Sequence, residues 1–564
     1  MRTLAVLLVC FARVSPAATP DFGPNVFVFH PSMPSAAIQE KIDKAFAVQK
    51  NAQFGPARYA LLFTPGDYTV DVPIGYYTQV LGLGATPDSV RIKGDVHSDA
   101  TLPNNNSTCT FWKAVEGFSV VPTGGTMQWA VSQATGFRRM HVLGNVVLHQ
   151  KGGWASGGWM SDALIDGNVD SGSQQQWISR NSEWKSWTGQ NWNMVFVGVP
   201  NPPPGEWPNP VYTKIAQVPI VREKPFLEVD KAGRYSVNVP ALRSNSSGIT
   251  WHGGSTPGKT IPIGEFYIAR PDTDSAKTIN AQLAKGMHVI FTPGIYDITE
   301  TVRVTKPNTV VMGLGYATLR PTNGVTALSI ADVDGVVLAG MLFDAGPESS
   351  PVLLEVGPDG SNVRHAKNPT SLHDVYFPVG GAGVGRAAVS LQINSNDVIV
   401  DHTWIWRADH GTGVGWNSNT GANGLMVNGN DVTIYGLFVE HYQAYQVLWN
   451  GERGRVYFYQ SEIPYDPPDQ PSYTSGPGVN GWAAYKVADR VTTHEAWGLG
   501  IYSVFRQKNV TLSRAIEAPR KRGVQFHSMI TCRLGNNGEI TNIVNDAGGT
   551  AVGNVRPKLT SYPE

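Results

Sequence analysis

The chain has 564 residues, and its 44 Lys plus Arg balance 44 Asp plus Glu, so the formal charge at pH 7 is zero. No basic field exists to hold nucleic acid or an anionic bilayer, and past the N-terminal leader no stretch approaches the ~20 apolar residues of a membrane span. Charged residues are only 16%, beside 61 Gly, 16 Trp and 20 Tyr, which suits turn-rich β structure with aromatic ligand surfaces and an uncharged substrate.

Arg2, an apolar run from Leu4 to Ala12 and then Ser15-Pro16-Ala17 read as a secretory signal peptide over residues 1–17, which predicts an extracellular protein whose mature chain starts near Ala18. The C-terminal end, Thr560 to Glu564, carries no lipid-anchor tail. Cys10 leaves with the leader, so Cys109 and Cys532 remain, either as one interdomain disulfide or as two buried free thiols. Sequons at Asn105, Asn106, Asn245 and Asn509 fit a glycosylated surface in a eukaryotic host.

Behind Ser35, an N-cap residue type, Ile38, Ile42 and Phe46 follow i, i+4, i+8 spacing and predict a short amphipathic helix. Leu61-Leu62-Phe63-Thr64-Pro65-Gly66-Asp67-Tyr68 and Gly82-Leu83-Gly84 come next. The same text returns late in the chain. Phe266 to Pro271 matches Phe27 to Pro31, Ile279 and Leu283 behind Ser275 repeat the helix, and Val289-Ile290-Phe291-Thr292-Pro293-Gly294-Ile295-Tyr296 precedes Gly313-Leu314-Gly315. Two aligned heads in one chain predict two similar domains in tandem.

After each helix the chain turns to short β-branched or aromatic runs broken by Gly, Asn and Asp, such as Val398-Ile399-Val400, Val432-Thr433-Ile434 and Val510-Thr511-Leu512. No long helical segment alternates with them, which argues against βαβ folds. The prediction is an all-β protein of two tandem right-handed parallel β-helices, pectate-lyase-like, each opened by a helix that covers the first coil's open strand edges; a pair of β-sandwiches is the alternative. The Pro-rich stretch from Pro200 to Pro210 and the polar run Ser244 to Gly248 place a boundary, giving an N-terminal domain over 18–200, a linker packed along both domains over 201–264 and a C-terminal domain over 265–564.

Candidate chemistry concentrates in the second half. Glu440 and Glu462 are 462 − 440 = 22 residues apart, about one β-helix coil, which predicts that they stack on neighbouring rungs roughly 4.8 Å apart. Two carboxylates that close resist joint ionisation, so one stays protonated at neutral pH, as a general acid requires. Surface glutamates paired with Arg453 or Arg455 are the alternative. Glu462 enters a Pro464-Tyr465 corner with Tyr442, Tyr445, Trp449 and Tyr459 nearby in sequence, rings that shield a carboxyl and suit sugar faces. Glu452, His494 and Glu495 are further cleft candidates with structural pairing as the commoner role. The Gly-rich Val379 to Gly385 run is no phosphate loop, since no Lys-Ser/Thr follows, and no His/Cys/Asp set has metal-ligand spacing, so neither metal nor cofactor is expected.

Gln460-Ser461-Glu462-Ile463-Pro464-Tyr465, Phe438-Val439-Glu440, Trp406-Arg407-Ala408-Asp409-His410, Trp497 to Ser503 and, in the first half, Gln174-Gln175-Gln176-Trp177 resemble the β-1,3-glucanases of glycoside hydrolase family 55. The likeness covers nearly the whole mature chain. It implies two β-helices side by side with the active site between them, and inverting exo-hydrolysis that releases glucose from β-1,3-glucan ends by a monomeric enzyme. By motif, it implies Glu462 as general acid and Glu440 in the network that activates water, with Gln175 or Gln176, preferably Gln176, holding that water from the first domain. Gln174, Gln175, Asp409, His410, Tyr445, Trp449 and Tyr465 are the expected sugar contacts. The resemblance also implies a small hydroxyl residue in the segment Trp192 to Gly198, where this chain has Val195 and Val197. A pectinolytic β-helix enzyme, or a β-helix that binds glycans without catalysis, are the competing functions.

Overall fold

The structure is a computed structural model that describes residues 19–563, so the predicted leader lies outside the described residues. Two parallel sheet stacks run through the chain. In the first domain a nine-stranded sheet adds strands in sequence order from Val26–Phe29 through Thr135–Arg138, Trp159–Ser161, Gln176–Arg180 and Asn193–Val197 to Tyr212–Ile215, all parallel. The second domain repeats this from Phe266–Ala269 through Ser371–Val379, Ile399–Arg407, Thr433–Glu440 and Gly454–Glu462 to His494–Ser503 and Val524–Arg533, closed by an antiparallel strand, Lys558–Tyr562. A second, eight-stranded sheet completes each domain. In the long sheets the rungs are buried on both faces, which explains the continuous β-branched runs: alternate side chains enter a stack of Val, Ile, Leu and Phe inside each coil and the others meet the opposite domain.

The duplicated heads have a shared physical task. Thr64 Oγ1 donates to Phe29 O at 3.1 Å, and the Tyr68 hydroxyl lies 3.0 Å from the same carbonyl and 2.7 Å from Thr64 O. Thr292 and Tyr296 reproduce this on Ala269 O at 2.9 and 2.8 Å. Glycine is required between them: a Cβ on Gly66 would lie 2.7 Å from Pro31, and one on Gly294 2.5 Å from Pro271. The motif therefore ties the first strand to the first coil in each domain.

Both predicted helices form, α1 over Ser35–Gln49 and α2 over Ala276–Ala284. Ser275 caps α2, accepting from the Thr278 amide at 3.3 Å, but Ser35 does not cap α1; it is already helical, after Pro34. The buried stripe of α1 runs Ile38, Ile42, Ala45, Gln49, and Phe46 is only half-buried. A 3.6-residue turn drifts the buried face off strict i+4 steps, which moves the third contact from Phe46 to Ala45.

Residues 201–264 hold more structure than a linker. Tyr212–Ile215 extends the first domain's sheet, Val218–Val221 pairs with Arg243–Ser246, and Phe226–Val229, Tyr235–Pro240 and Gly258–Pro262 form a three-stranded antiparallel sheet.

The two long sheets face each other across an apolar layer that includes Trp112, Trp159, Ile178 and Val195 from the first domain and Tyr376, Trp404, Tyr435 and Phe438 from the second. Their strands run in opposite directions. Gln133, just before Thr135–Arg138, meets Glu440 at the end of its strand, whereas Arg138, at the end of its own, meets Asp401 near the start of Ile399–Arg407. Inside the layer Arg138 bonds Asp374 and Asp401, each at 2.8 Å, Arg180 bonds Asp401 at 2.9 Å and Glu223 at 2.6–2.7 Å, and Lys224 bonds Glu116 at 2.8 Å and Asp374 at 3.0 Å. Burial works against the Asp401 carboxylate, but Arg180 and Arg138 outweigh it and hold its pKa well below the usual range. These pairs lock the angle and register of the two domains.

Candidate active site

Three strands of the second domain end at one rim. Trp406 is the register partner of Glu440, and Glu440 of Glu462, so neighbouring rungs present the two carboxyls side by side. Opposite them, the turns leading into Thr135–Arg138, Trp159–Ser161 and Gln176–Arg180 supply Gln133, Ser156 and Gln175. Together these residues, with Trp404, Trp406, Asp409, His410, Tyr465 and Cys109 among others, enclose a pocket of about 270 Å3 between the domains.

Glu440 is 3% exposed and held at both oxygens: Gln133 Nε2 donates to Oε1 at 2.8 Å and Trp404 Nε1 to Oε2 at 3.0 Å. Burial pushes its pKa up to about 7 although both donors favour the ionised form. Glu462 is almost as buried, receives the Tyr465 hydroxyl on Oε2, and has Gln460 Nε2 3.4 Å from Oε1. Burial, then the Glu440 and Asp409 charges, drive its pKa well above the carboxylate range. The pair thus titrates as a unit that keeps a proton at neutral pH, with Glu462 its preferred seat.

Asp409 sits beside the pair as a fixed anion. Burial opposes its charge, but the 2.8 Å bond from His410 Nδ1 and the neighbouring His441 bring its pKa to about 2. Burial likewise opposes charge on His410, yet Asp409 and the adjacent Cys109 raise it to about 10, so an imidazolium faces the pocket. Trp404 and Trp406 stack at 4.7 Å and 18° to give one aromatic wall. Arg407 fixes the corner after Glu462, binding Asp466 with two 2.9 Å bonds and the His441 carbonyl at 3.1 Å, while Tyr465 packs its ring 4.4 Å from that of His441.

The structure therefore brings Glu462, Glu440, Gln175, Tyr465, Asp409 and His410 into one pocket. Gln176 stands behind that lining, wholly buried, its Nε2 3.5 Å from Ser156 Oγ. Gln174 is turned inward: its Nε2 donates to the Val131 and Leu148 carbonyls, both at 3.1 Å, and its Oε1 accepts from Gly157 N. Trp449 belongs to the other sheet and fills the coil interior against Tyr485 and His494; Tyr442 and Tyr459 are also core residues. Tyr445 lies on that far side too, its ring against Trp482 and its hydroxyl 3.3 Å from Glu517. Glu452 accepts from the Thr492 and Thr493 amides, His494 bonds Tyr485 inside the core, and Glu495 faces His527 at 3.8 Å. None of these nine lines the pocket.

Gln133, Ser156, Trp404 and Cys109 are pocket residues that the sequence reading passed over. The pocket's hydroxyl is Ser156 and not a residue of Trp192 to Gly198, where Val195 and Val197 pack in the interdomain apolar layer. Coil arithmetic holds the missing signal: 156 − 133 = 23 and 462 − 440 = 22, so one-coil spacing marks both walls. Cys109 and Cys532 are both free thiols, Cys109 half-buried in the pocket and Cys532 buried. Among the described residues no group of three or more His, Cys, Asp or Glu is placed to hold a metal ion, and no helix is long and apolar enough to cross a membrane.

Residues 266–462 match the family model of the LAM55 pectate lyase-like domain. The chain is 47% identical over 548 residues to an exo-β-1,3-glucanase of Streptomyces sp. (strain SirexAA-E / ActE), an alignment covering 96% of this chain and 90% of that protein. The structure of sacteLam55A from Streptomyces sp. SirexAA-E superposes with a TM-score of 0.94 at 46% identity, covering 96% of this chain and 99% of that one. A glutamate-to-alanine variant of sacteLam55A in complex with glucose gives the same TM-score and identity, covering 97% and 99%. Two parallel stacks of rungs, a paired-glutamate pocket between them and full-length similarity of this order place the chain in glycoside hydrolase family 55.

Proposed function

We propose that the protein is a secreted exo-β-1,3-glucanase that releases glucose from chain ends with inversion, with Glu462 as general acid. The observation that carries the reading is the Glu440–Glu462 pair, buried on adjacent rungs and opposed by Gln133 and Ser156 from the other domain. A pocket of about 270 Å3 has room for one hexose ring, which favours cleavage at an end over cleavage within a chain. With the glutamate pair keeping a proton and Asp409 balanced by His410, the pocket offers a polyuronate no net positive charge and suits a neutral sugar.

In this mechanism Glu462, protonated because burial and Glu440 disfavour its charge, gives its proton to the glycosidic oxygen as the bond to C1 breaks. Adjacent rungs are ~4.8 Å apart, closer than the ~6.5–9.5 Å between acid and base that inversion requires. The attacking water therefore lodges across the pocket from the pair, oriented by Ser156 and the Gln133 amide, and its proton is relayed to Glu440 through them and not passed directly. Asp409, oriented by His410, accepts from sugar hydroxyls, and the stacked Trp404–Trp406 pair forms an apolar wall beside the ring.

The test is laminarin hydrolysis without added metal, followed by NMR of the first-formed anomer. Glucose appearing first as the α-anomer is the expected result; a ladder of oligosaccharides or initial β-glucose contradicts it. Glu462→Gln is expected to fold and lose ~10²–10⁴-fold in turnover, and near-wild-type activity in that variant would remove the acid assignment. Secretion is checked by N-terminal sequencing of protein recovered from the medium, with the first residue expected near Ala18.

A further inference from the structure

A second cavity lies beside the catalytic pocket, and the chemistry above does not use it. It holds about 250 Å3, nearly the size of its neighbour, and both domains wall it. Trp406 lines both cavities, and Phe54 lies parallel to that ring at 6.2 Å and 6°, so an aromatic partition stands between them. Exposed Pro56 and Ala382 open it to solvent.

Asp344 lines this cavity while only 8% exposed, and its carboxylate accepts no hydrogen bond from any described residue. Burial pushes its pKa up to about 6 against the pull of Arg320 and Arg58. Arg58, 4% exposed, stacks on Tyr77 at 3.7 Å and commits Nε to Thr318 and Nη1 to the Gly55 and Ala57 carbonyls, which leaves Nη2 without a partner among the described residues. Arg320 is occupied by Asp297, with bonds of 2.6 and 2.9 Å. A carboxylate that faces a cavity without a protein donor takes its hydrogen bonds from whatever fills that cavity. An acceptor pair, a guanidinium donor and flat aromatic walls in a one-ring volume are what a pyranose demands, since its hydroxyls lie at the ring edge and its C–H groups on the faces.

We propose that this cavity is a second hexopyranose-binding site, held by Asp344 and Arg58 against Trp112 and Trp406 and separate from the catalytic pocket. Its ligand is a neutral hexose unit, supplied as free glucose or as the end of a glucan chain. The choice of glucose as probe rests on the glucanase reading; the site itself rests on the cavity and its unpartnered carboxylate.

The test is calorimetric titration of the whole protein with glucose, and of the Glu462→Gln protein with laminaribiose. Two binding events are expected in the parent protein and one in Asp344→Leu, because losing a charge-assisted acceptor weakens binding by ~10–100-fold. Ile295→Trp, which fills the cavity from its half-buried rim, is expected to remove the same event, and it serves if Asp344→Leu does not fold. Both variants are expected to retain laminarin turnover. A second event with glucose identifies the product as ligand; one seen only with laminaribiose identifies a chain end. A single event with both probes, or a second event that survives in both variants, overturns the proposal. The first event and laminarin turnover report on the glucanase reading, so the two fail separately.

Discussion

Gln133→Leu is the most informative single change, because it alters the charge balance of the glutamate pair without touching either carboxyl. Gln133 is 3% exposed and donates at 2.8 Å to Glu440, which Trp404 also bonds at 3.0 Å and Gln460 supports. A hydrogen bond to an ionised group contributes about 1.5–3 kcal/mol. At 1.36 kcal/mol per pKa unit, removing it disfavours the ionised form and raises the Glu440 pKa by about 1–2 units from its value near 7. If Glu440 must be ionised to accept the water's proton, the acidic limb of the kcat/KM profile moves to higher pH by that amount. The basic limb, set by loss of the Glu462 proton, moves down, since a more protonated Glu440 repels the Glu462 carboxylate less. The assay is initial-rate glucose release from laminaritriose across about pH 4 to 9. A uniform loss of rate with both limbs unmoved would refute the reasoning and reduce Gln133 to a shape-filling residue.

Asp401→Asn is expected to cost about 3–5 kcal/mol in chemical denaturation, because Arg138 and Arg180 lose their shared buried counter-charge; a loss under 1 kcal/mol would show that the guanidiniums find water. Trp449→Ala is expected to cost about 3–5 kcal/mol of stability while KM for laminarin stays unchanged, and a raised KM with normal stability would return Trp449 to the substrate side. Ellman's reagent is expected to label Cys109 alone in the native protein, with glucose slowing the reaction, and Cys532 only after unfolding; no reactive thiol in denatured protein would instead mean a disulfide.

The doubled heads were legible because their chemistry is local: a Thr, a Pro-Gly turn and a Tyr tie one strand to the next coil within a few dozen residues. The Glu440–Glu462 stacking was legible for the same reason, since one coil of 22 residues separates them on one sheet. Trp449 and Tyr445 misled because nearness in sequence does not choose a face. Val447–Trp449 lies in the other sheet, so its large ring enters the coil, while the smaller-looking turn residues Gln133 and Ser156 reach the cleft. Gln174, Gln175 and Gln176 show the rule at single-residue scale: one bonds carbonyls inside the coil, one lines the pocket and one stands behind Ser156. Which wall meets which is set by packing between domains more than a hundred residues apart, and no short-range pattern encodes it.

Opposed strands give the packed pair two rims, one where the second domain's strands end and one where they begin. Two like domains joined in this way could in principle house two reaction chambers, as a symmetric dimer does. Here the segment Val218 to Lys224 enters the rim where the second domain's strands begin: Val218 and Val221 join the apolar layer, the Ile220 carbonyl accepts the Tyr435 hydroxyl at 2.8 Å, and Glu223 and Lys224 enter the ion cluster. The connection is thus a plug. It turns a duplicated scaffold into an enzyme with one chamber per chain, and frees the stoppered rim to be selected for rigidity alone while the open rim answers to substrate.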